Sequence, residues 1–256
     1  MSKASRRLRV GSWVWWAVLF CALIVIGRWP VTTRLGIDYQ WSSQRIPLYE
    51  KAVNFLSRDL QIRRLAREIT AGASSQGEKL LRIFSWVTTT IRPVPEGFPV
   101  VDDHIFHIIV RGYGAEDQRT EAFVTLAGYA GFQARVARLE PPHSPGNFLF
   151  VALVRCGTKT YVFDVNHRIL FRDEHDHLAD VDQLLVTPQL VDAAAQGLVV
   201  HGVPYHQYFL GLDRAKVSSR TQAQQLWPRV KQELEHLLRF NVVERGPKAA
   251  NDIQGS

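Results

Sequence analysis

Cysteine is scarce in this sequence of 256 residues, which contains only Cys21 and Cys156. Cys21 lies in an apolar run near the N-terminus, so no disulfide can form within the rest of the chain. This excludes a disulfide-stapled module, and we predict that Cys156 is a small buried strand residue and not a reactive thiol. The glycine-rich patterns of dinucleotide-binding and P-loop proteins are also missing, so no such nucleotide site is predicted.

Acidic residues are absent from the first 37 positions, which hold six Lys and Arg residues. The whole sequence has a formal charge of +7, with 31 Lys and Arg against 24 Asp and Glu. Because six of these net charges belong to the first 37 residues, the rest of the chain is close to neutral. A near-neutral body does not favour phosphate binding, so we predict no nucleic-acid partner. Its 46% content of hydrophobic residues indicates a folded domain.

An apolar run without charged residues extends from Val10 to Gly27, directly after four basic residues. Eighteen residues of α-helix rise about 27 Å, which is close to the hydrocarbon thickness of a bilayer. Tryptophans flank the run, with Trp13 near its start and Trp29 after its end, as is typical of membrane interfaces. We predict that residues 1–9 are a cytoplasmic basic tail and that residues 10–29 are a transmembrane signal anchor in contact with the bilayer.

The positive-inside rule gives the orientation of this predicted anchor. It places the N-terminus in the cytoplasm and the main domain in the periplasm or another extracytoplasmic space. A cleaved signal peptide is the alternative, but the sequence has no A-x-A-like cleavage site after the run. Phe20 is also too bulky for the position before a lipidated Cys21. The sequence therefore predicts a single-pass membrane protein.

The rest of the chain is divided into a tether over residues 30–45, a folded domain over 46–244 and a flexible tail over 245–256. Helical spacing of apolar residues predicts helices over about 46–72, 75–91, 115–130 and 221–239, and the second begins with a capping box from Ser75 to Glu78. An irregular loop is predicted for residues 100–114. Four strands rich in Val, Phe, Tyr and Leu are predicted at Gln133–Leu139, Phe148–Arg155, Lys159–Val165 and Arg168–Arg172. Short connections favour antiparallel pairing, so the predicted fold is α+β, with helices packed on a central antiparallel sheet.

Several segments carry a family resemblance through their order along the chain. They are Leu80–Ile91, Arg111–Gln118 with the alanine-rich helix after it, Gly131–Val136 and Tyr161–Asp164. Together they resemble the transglutaminase-like superfamily, whose members have a papain-like cysteine-protease fold. The resemblance covers about residues 75–170 and implies that fold here, preceded by one transmembrane helix.

The resemblance also implies where a catalytic site would lie. In the superfamily a cysteine at a helix N-terminus is the nucleophile, a histidine takes its proton, and an aspartate orients the histidine. Glu116 stands at the cysteine position, Asn147 or the two residues after it at the histidine position, and Asp164 at the aspartate position. A carboxylate stabilised by a helix N-terminus is a poor nucleophile. The resemblance therefore implies a vestigial site in a pseudoenzyme.

Such a pseudoenzyme is predicted to be a non-catalytic binding or assembly subunit of a membrane or envelope complex. The former catalytic cleft would bind a peptide or a neighbouring protein through Tyr113, Glu116, Asp117 and Asp164. The alternative is an active peptidase or amide-transfer enzyme with a rearranged site built from Glu116, His143 and Asp164. Three prolines surround His143, however, and this is more typical of a surface loop.

Metal binding is a further alternative, because histidines occur in two pairs. His175 and His177 alternate with carboxylates in Asp173–His177, and His104 and His107 form the other pair. Neither spacing is diagnostic of a metal site, since an acidic surface loop and packed core histidines give the same patterns. We predict no metal and no cofactor, with His175 and His177 as the metal-ligand candidates for a sensor domain.

Overall fold

The N-terminal part of the protein consists of a helix and a β-hairpin. In a computed structural model the chain is described over residues 3–37, 40–98, 104–212, 216–218 and 230–231. Helix α1 (Lys3–Gly27) is followed by strands β1 (Pro30–Ile37) and β2 (Gln40–Pro47), which pair antiparallel over most of the segment predicted as a tether. Within these described ranges, no helix combines the length and the hydropathy that crossing a bilayer requires.

A helical layer follows the hairpin. Its elements are α2 (Leu48–Thr70), α3 (Gln76–Thr90), β3 (Arg92–Pro93), α4 (Ile105–Arg111), β4 (Tyr113–Gly114) and α5 (Glu116–Tyr129). Pro47 directly precedes α2, and the Oγ atom of Ser75 accepts a hydrogen bond from the Glu78 N–H at 3.1 Å, as the sequence predicts for the start of α3. Strands β3 and β4 form a short parallel pair that joins the end of α3 to the start of α5.

Helix α4 replaces part of the loop predicted for residues 100–114, so that prediction was wrong for Ile105–Arg111. The Nδ1 atom of His104 accepts a hydrogen bond from the Phe106 N–H at 3.2 Å and thereby caps the helix. At the other end, Gly112 adopts a left-handed conformation with φ of 72°, which ends the helix. A helix of seven residues, most of them apolar, is too short for a helical period to show in the sequence.

A meander of strands forms the centre of the domain. It comprises β5 (Gln133–Leu139), β6 (Leu149–Cys156), β7 (Lys159–Asp164) and β8 (Ile169–Leu170), each antiparallel to the next. After it come α6 (Val181–Val186), α7 (Gln189–Ala195), β9 (Val199–Val200), β10 (Val203–Pro204), α8 (His206–Phe209) and β11 (Lys216–Ser218). Strand β11 pairs with β5 and completes the sheet order β11-β5-β6-β7-β8. The predicted α+β fold and antiparallel pairing are therefore confirmed.

Both faces of the sheet are buried, because alternate residues along each strand point to opposite sides. On one side Phe84 of α3 and Phe123 of α5 pack against Phe163 of β7. On the other side Phe171 packs against Phe209 of α8, within a second cluster. The helical layer and the C-terminal segments thus enclose the sheet and hold the end of β7 between them. The predicted helix over 221–239 and the tail over 245–256 lie almost wholly outside the described residues.

Candidate functional site

A cavity of about 400 Å³ lies where α5 begins and β7 ends. Helix α5 contributes its first residues, the segment after β3 forms one wall, and the turn after β7 forms the other. The residues that line it are Pro93, Val94, Gly114, Ala115, Glu116, Arg119, Asn166 and His167. The walls are mainly apolar, and the polar groups converge from two elements that are far apart in sequence.

The start of α5 is fixed by its own first turn and by strand β4. The Oε1 atom of Gln118 accepts hydrogen bonds from the Ala115 N–H at 3.1 Å and from the Arg111 guanidinium at 2.7 Å. A Cβ atom on Gly114 would lie 3.2 Å from this same Oε1 atom, so the close approach favours glycine there. As a result, Glu116 is the first residue of α5, and its side chain is 39% exposed.

At the end of β7, Asp164 is fully buried and holds His167 in place. Its Oδ2 atom lies 2.8 Å from Nδ1 of His167 and accepts a hydrogen bond from the Tyr205 hydroxyl at 2.7 Å. Its Oδ1 atom accepts from the backbone N–H groups of Asn166 at 2.9 Å and of His167 at 3.0 Å. Four hydrogen bonds therefore satisfy a carboxylate that has no contact with water.

The contact with Asp164 determines which ring nitrogen of His167 carries the proton. The carboxylate of Asp164 accepts the proton on Nδ1, so Nε2 is the ring nitrogen of His167 that remains for a ligand at the cavity wall. The hydrogen bond to Asp164 raises the pKa of His167, and the nearby negative charge of Glu116 raises it further. Burial raises the pKa of Tyr205 well above its usual value, so its hydroxyl stays a proton donor. The arrangement can hold or exchange a proton at the cavity.

Arg119 ties the helical layer to the end of β7. Its guanidinium is buried and donates to the backbone carbonyls of Ile91 at 3.0 Å and Val165 at 3.1 Å, and to Oδ1 of Asn166 at 3.3 Å. Burial lowers the pKa of Arg119, although Asp164 and Glu116 act in the opposite direction. Because the N–H groups of the guanidinium donate to these protein oxygens, Arg119 holds the elements around the cavity in place.

Asn166 also connects α5 to the end of β7. Its Nδ2 atom donates to the carbonyl of Glu116 at 3.1 Å, to Oγ1 of Thr120 at 3.1 Å and to the carbonyl of Phe150 at 3.3 Å. One side chain thus joins the first turn of α5 to strand β6 and to the end of β7. The position of the Glu116 backbone depends directly on this amide.

A second histidine approaches Glu116 from the C-terminal part of the domain. His201 lies in the turn between β9 and β10 with φ of 51°, and its Nε2 atom is 3.9 Å from Oε1 of Glu116. The His201 side chain is 43% exposed, so this contact is a weak, solvent-screened one. The contact places an imidazole at the solvent side of the glutamate.

The structure brings two of the predicted site residues into this region. Glu116 lines the cavity, and Asp164 lies behind His167. Asn147 and the exposed His143 lie instead in the loop before β6, where the Asn147 N–H donates to the Ser144 carbonyl at 3.3 Å. Among the described residues, no hydrogen bond or ion pair joins either of them to Glu116 or Asp164.

The other predicted binding residues flank the cavity. Tyr113 is half-buried, with the ring of Phe98 at 5.8 Å and the Arg111 guanidinium 5.2 Å from its ring centre. Asp117 is the second residue of α5 and is partly exposed next to Glu116. Neither side chain is among those that line the cavity.

The histidine pairs proposed as metal ligands lie elsewhere. His175 and His177 are exposed in a loop, and Oδ1 of Asp173 accepts hydrogen bonds from both of their backbone N–H groups at 2.9 Å. His104 caps α4, with its ring centre 5.2 Å from that of His107. In the part of the chain that the structure describes, no three His, Cys, Asp or Glu side chains are grouped as metal ligands would be.

Comparison with known proteins agrees with the resemblance found in the sequence. Residues 63–157 match the family model described as the transglutaminase-like superfamily. No curated protein matches the chain. The matched residues include the helical layer from α3 to α5 and the strands β5 and β6.

Two solved structures resemble the chain. One is described as a putative cysteine protease from Cytophaga hutchinsonii, with 16% identity, a TM-score of 0.37, and coverage of 53% of this chain and 48% of that chain. The other is described as a putative protease from Parabacteroides distasonis ATCC 8503, with 12% identity, a TM-score of 0.34, and coverage of 54% and 36%. The chain therefore spans less than half the length of each of these proteins.

The site residues that were not predicted from the sequence include Arg119, Asn166, His167 and Tyr205, together with His201 beside Glu116. The resemblance directs attention to a histidine before Asp164, whereas His167 follows it by three residues in the next turn. A strand that ends in Asp-x-x-His is a local signal for such a pair. No comparable signal exists for Tyr205, which reaches Asp164 from 41 residues away.

Proposed function

We propose that this protein is a membrane-anchored, transglutaminase-like domain that works as a non-catalytic binding or assembly subunit. The observation that carries the proposal is Glu116, which occupies the first position of α5, where the superfamily is expected to have its nucleophilic cysteine. A carboxylate next to unpaired helix N–H groups is stabilised as an anion, so it is a weak nucleophile. Cys156 is remote from that helix end, since it closes β6 at a turn.

The chemistry of the cavity favours a ligand with a cationic group. Glu116 is the partly exposed carboxylate of the lining, while the carboxylate of Asp164 is fully buried and already accepts hydrogen bonds from His167 and Tyr205. Pro93, Val94 and Ala115 offer apolar surface around it. A lysine side chain of a protein partner has both an ammonium group and an apolar stem, and it therefore suits the site.

The membrane part of the proposal concerns residues 10–29. Large apolar side chains of this segment are widely exposed, among them Trp13 at 77%, Phe20 at 65% and Trp29 at 66%. Burial in lipid would remove this surface from water. Such an anchor would also raise the effective concentration of a partner in the same membrane, so that a weak contact in the cleft suffices. The proposed partner is accordingly another membrane or envelope protein, with the main domain on the extracytoplasmic side.

The binding proposal can be tested with the full chain in mild detergent. The probe is a short peptide with blocked ends and one lysine, compared with the same peptide containing norleucine. We expect calorimetry to show that the lysine peptide binds several-fold more tightly, and that Glu116→Gln abolishes the difference. Glu174→Gln, which removes an exposed carboxylate from a loop, is the matched control and should retain it. Equal binding of the two peptides to the unchanged protein would refute the proposed ligand class.

The position and orientation of the anchor have a separate test. Protease added to intact spheroplasts should remove the main domain but leave the first residues protected. Protection of the main domain would contradict the extracytoplasmic assignment. Release of the chain from membranes by high salt alone would contradict anchoring by residues 10–29.

A second candidate function is an acid–base enzyme with a rearranged site, and the pairing of His167 with Asp164 favours it. In this arrangement His167 takes the place that the sequence suggested for His143. Its Nε2 atom would accept a proton from a water molecule that attacks an amide carbonyl, and the imidazolium would return the proton to the departing amine. A positioned general base typically accelerates such a step about 10²–10⁴-fold.

Hydrolysis of peptide amides by the purified full chain distinguishes the two functions. An enzyme should lose its activity in His167→Gln and keep it in His143→Gln, since His143 is exposed and does not line the cavity. Loss of activity in Cys156→Ser would indicate a thiol mechanism instead. Failure of the unchanged protein to hydrolyse any of the peptides, together with selective lysine-peptide binding, would support the binding function.

A further inference from the structure

Helix α2 has an apolar face that does not belong to the core. Its buried residues, Asp59, Ile62 and Ala66, face the rest of the domain. A different side of the helix carries four large apolar residues that are widely exposed: Tyr49 at 54%, Val53 at 60%, Leu56 at 44% and Leu60 at 62%. Steps of four, three and four residues place them in a single row along the helix, which we call the α2 stripe.

Arginines continue the same row toward the C-terminal end of α2. Arg63, Arg64 and Arg67 follow Leu60 at three, four and seven residues, so they lie on the same side of the helix, and all three are exposed. Arg63 contacts Asp59 at 3.2 Å and Arg64 contacts Glu68 at 2.7 Å. Helix α2 as a whole still has five basic and three acidic residues. The row therefore changes from apolar to basic along its length.

The apolar end of the row lies next to the helix that we propose to be in the membrane. A Cβ atom on Gly27, the last residue of α1, would be 3.7 Å from the Cβ atom of Tyr49. The Leu48 N–H donates to the carbonyl of Trp29 at 2.9 Å. The α2 stripe thus begins where the exposed apolar side chains of α1 end.

We propose that the α2 stripe is a membrane contact, inserted at the boundary between headgroups and acyl chains of an anionic bilayer. Helices of this kind bury an apolar face in that boundary while basic side chains bind lipid phosphates. Arg63, Arg64 and Arg67 are placed to make those contacts. The inference rests on the proposed membrane association of α1, and it would fix the orientation of the domain on the bilayer.

A second copy of the chain is a less suitable occupant of this surface. If two α2 helices paired in the same direction, their arginine clusters would face each other and like charges would repel. If they paired in opposite directions, each arginine cluster would face the apolar residues of the other helix. An anionic lipid surface complements both parts of the row. Its apolar part meets acyl chains and its basic part meets phosphates.

The test uses the full chain reconstituted into vesicles of phosphatidylcholine alone or mixed with phosphatidylglycerol. A fluorophore is attached to Leu56→Cys, or to Gln61→Cys on another exposed side of α2 as the matched control, with Cys21 and Cys156 changed to Ser. A nitroxide on the upper acyl chain of the lipid serves as the quencher. We expect several-fold stronger quenching at position 56 than at position 61. The charge-reversed variant Arg63→Glu, Arg64→Glu, Arg67→Glu should lose most of the extra quenching gained in phosphatidylglycerol vesicles.

The outcomes separate this inference from the proposed anchor. If the chain floats with the vesicles but both labels are equally quenched, the α2 contact is refuted and the anchor is retained. If the chain does not float at all, both are refuted. Quenching that is independent of lipid charge excludes the role of the arginines. Cross-linking of Leu56→Cys between copies, without lipid quenching, would show that a second copy covers the stripe.

Discussion

His167 is the residue whose protonation should leave a measurable signature in stability. Its hydrogen bond to Asp164 raises its pKa in the folded state above the value of about 6.5 expected in the unfolded chain. This contribution to the free energy of unfolding is complete below the unfolded pKa and is lost as the pH rises through the folded pKa. We therefore expect His167→Gln to destabilise the protein more near pH 5 than near pH 9.

Urea unfolding at several pH values measures this difference. His143→Gln is the control, because that side chain is exposed, and it should lower stability equally little at all pH values. Titration of the His167 ring by NMR gives a direct check, since Asp164→Asn should lower its pKa. An unchanged His167 pKa in Asp164→Asn would contradict the assigned cause.

Tyr205 supplies the second side-chain donor to the buried carboxylate of Asp164. Removing its hydroxyl leaves that charge with one hydrogen bond fewer where water cannot replace it. We expect Tyr205→Phe to lower the free energy of unfolding by about 2–3 kcal/mol. Tyr208→Phe is the matched control, because the Tyr208 hydroxyl donates to the neutral carbonyl of Val200 at 3.0 Å. A loss in Tyr208→Phe as large as in Tyr205→Phe would show that the charge of Asp164 is not the reason.

A residue of the site could be predicted from the sequence only where the segment around it indicates its role. Glu116 and Asp164 were identified because each stands at a marked position, at the start of a helix and at the end of a strand. Arg119 was assigned to no role, since on α5 it is only one more polar residue of a helix. Its role depends on the carbonyls of Ile91 and Val165, which the fold brings to it from both sides of the chain.

At the scale of elements, α3 offers a direct test of local stabilisation. Ser75 caps its first turn, and the carboxylate of Glu78 accepts hydrogen bonds from the Ser74 N–H and hydroxyl, both at 2.7 Å. We expect Ser75→Ala to lower the free energy of unfolding by about 1 kcal/mol, measured by urea unfolding. Ser85→Ala, at an exposed position inside the same helix, should be neutral or slightly stabilising. A cost at Ser85 equal to that at Ser75 would rule out capping as the cause.

The protonation of Glu78 makes the start of α3 sensitive to pH. Its hydrogen bonds to Ser74, together with Arg82, lower its pKa to about 2. A carboxylate with a lowered pKa stabilises the folded state fully above its unfolded pKa, and this effect is lost as the pH falls from the unfolded to the folded value. In the folded protein, the Glu78 carboxylate should therefore stay ionised below the pH at which an ordinary glutamate is protonated.

Helices and strands were predicted well where apolar residues recur over several helical turns or alternate with polar residues along a strand. Helix α5 has its predicted limits to within a residue, and β5 has the predicted limits. Several short elements were missed, among them α4 and the two-residue strands β9 and β10, because they give too few positions for a period to appear. The hairpin of β1 and β2 was also missed, since its residues show no clear alternation.

At the scale of the whole molecule, Arg119 connects α3, α5 and the end of β7. Its removal leaves several buried carbonyl oxygens without a donor in one place. We expect Arg119→Met to destabilise the domain by at least about 3 kcal/mol, because each lost bond to a charged group costs about 1.5–3 kcal/mol. Arg135→Met, on an exposed position of β5, is the control and should cost less than about 0.5 kcal/mol. Thermal unfolding followed by circular dichroism measures both, and similar melting temperatures would contradict the connecting role.

The overall architecture was predictable because the sheet is a meander. Strands β5 to β8 follow one another along the chain and each pairs with the next, so neighbours in sequence are neighbours in the sheet. Strand β11 was not predicted, because it joins the edge of β5 from nearly eighty positions later and no short-range pattern indicates that pairing. The same reasoning explains why the second apolar cluster, beneath the C-terminal segments, was not assigned.

The amide of Asn166 has a consequence for the order of folding. It donates to the Glu116 carbonyl across 50 residues of sequence and to the Phe150 carbonyl on β6. During synthesis, α2 to α5 leave the ribosome before this amide exists, and domains commonly gain structure from the N-terminal side first. The first turn of α5 is thus joined to the sheet only once β7 has emerged. We therefore expect the cavity to be among the last parts of the domain to take shape, although half of its lining is made early.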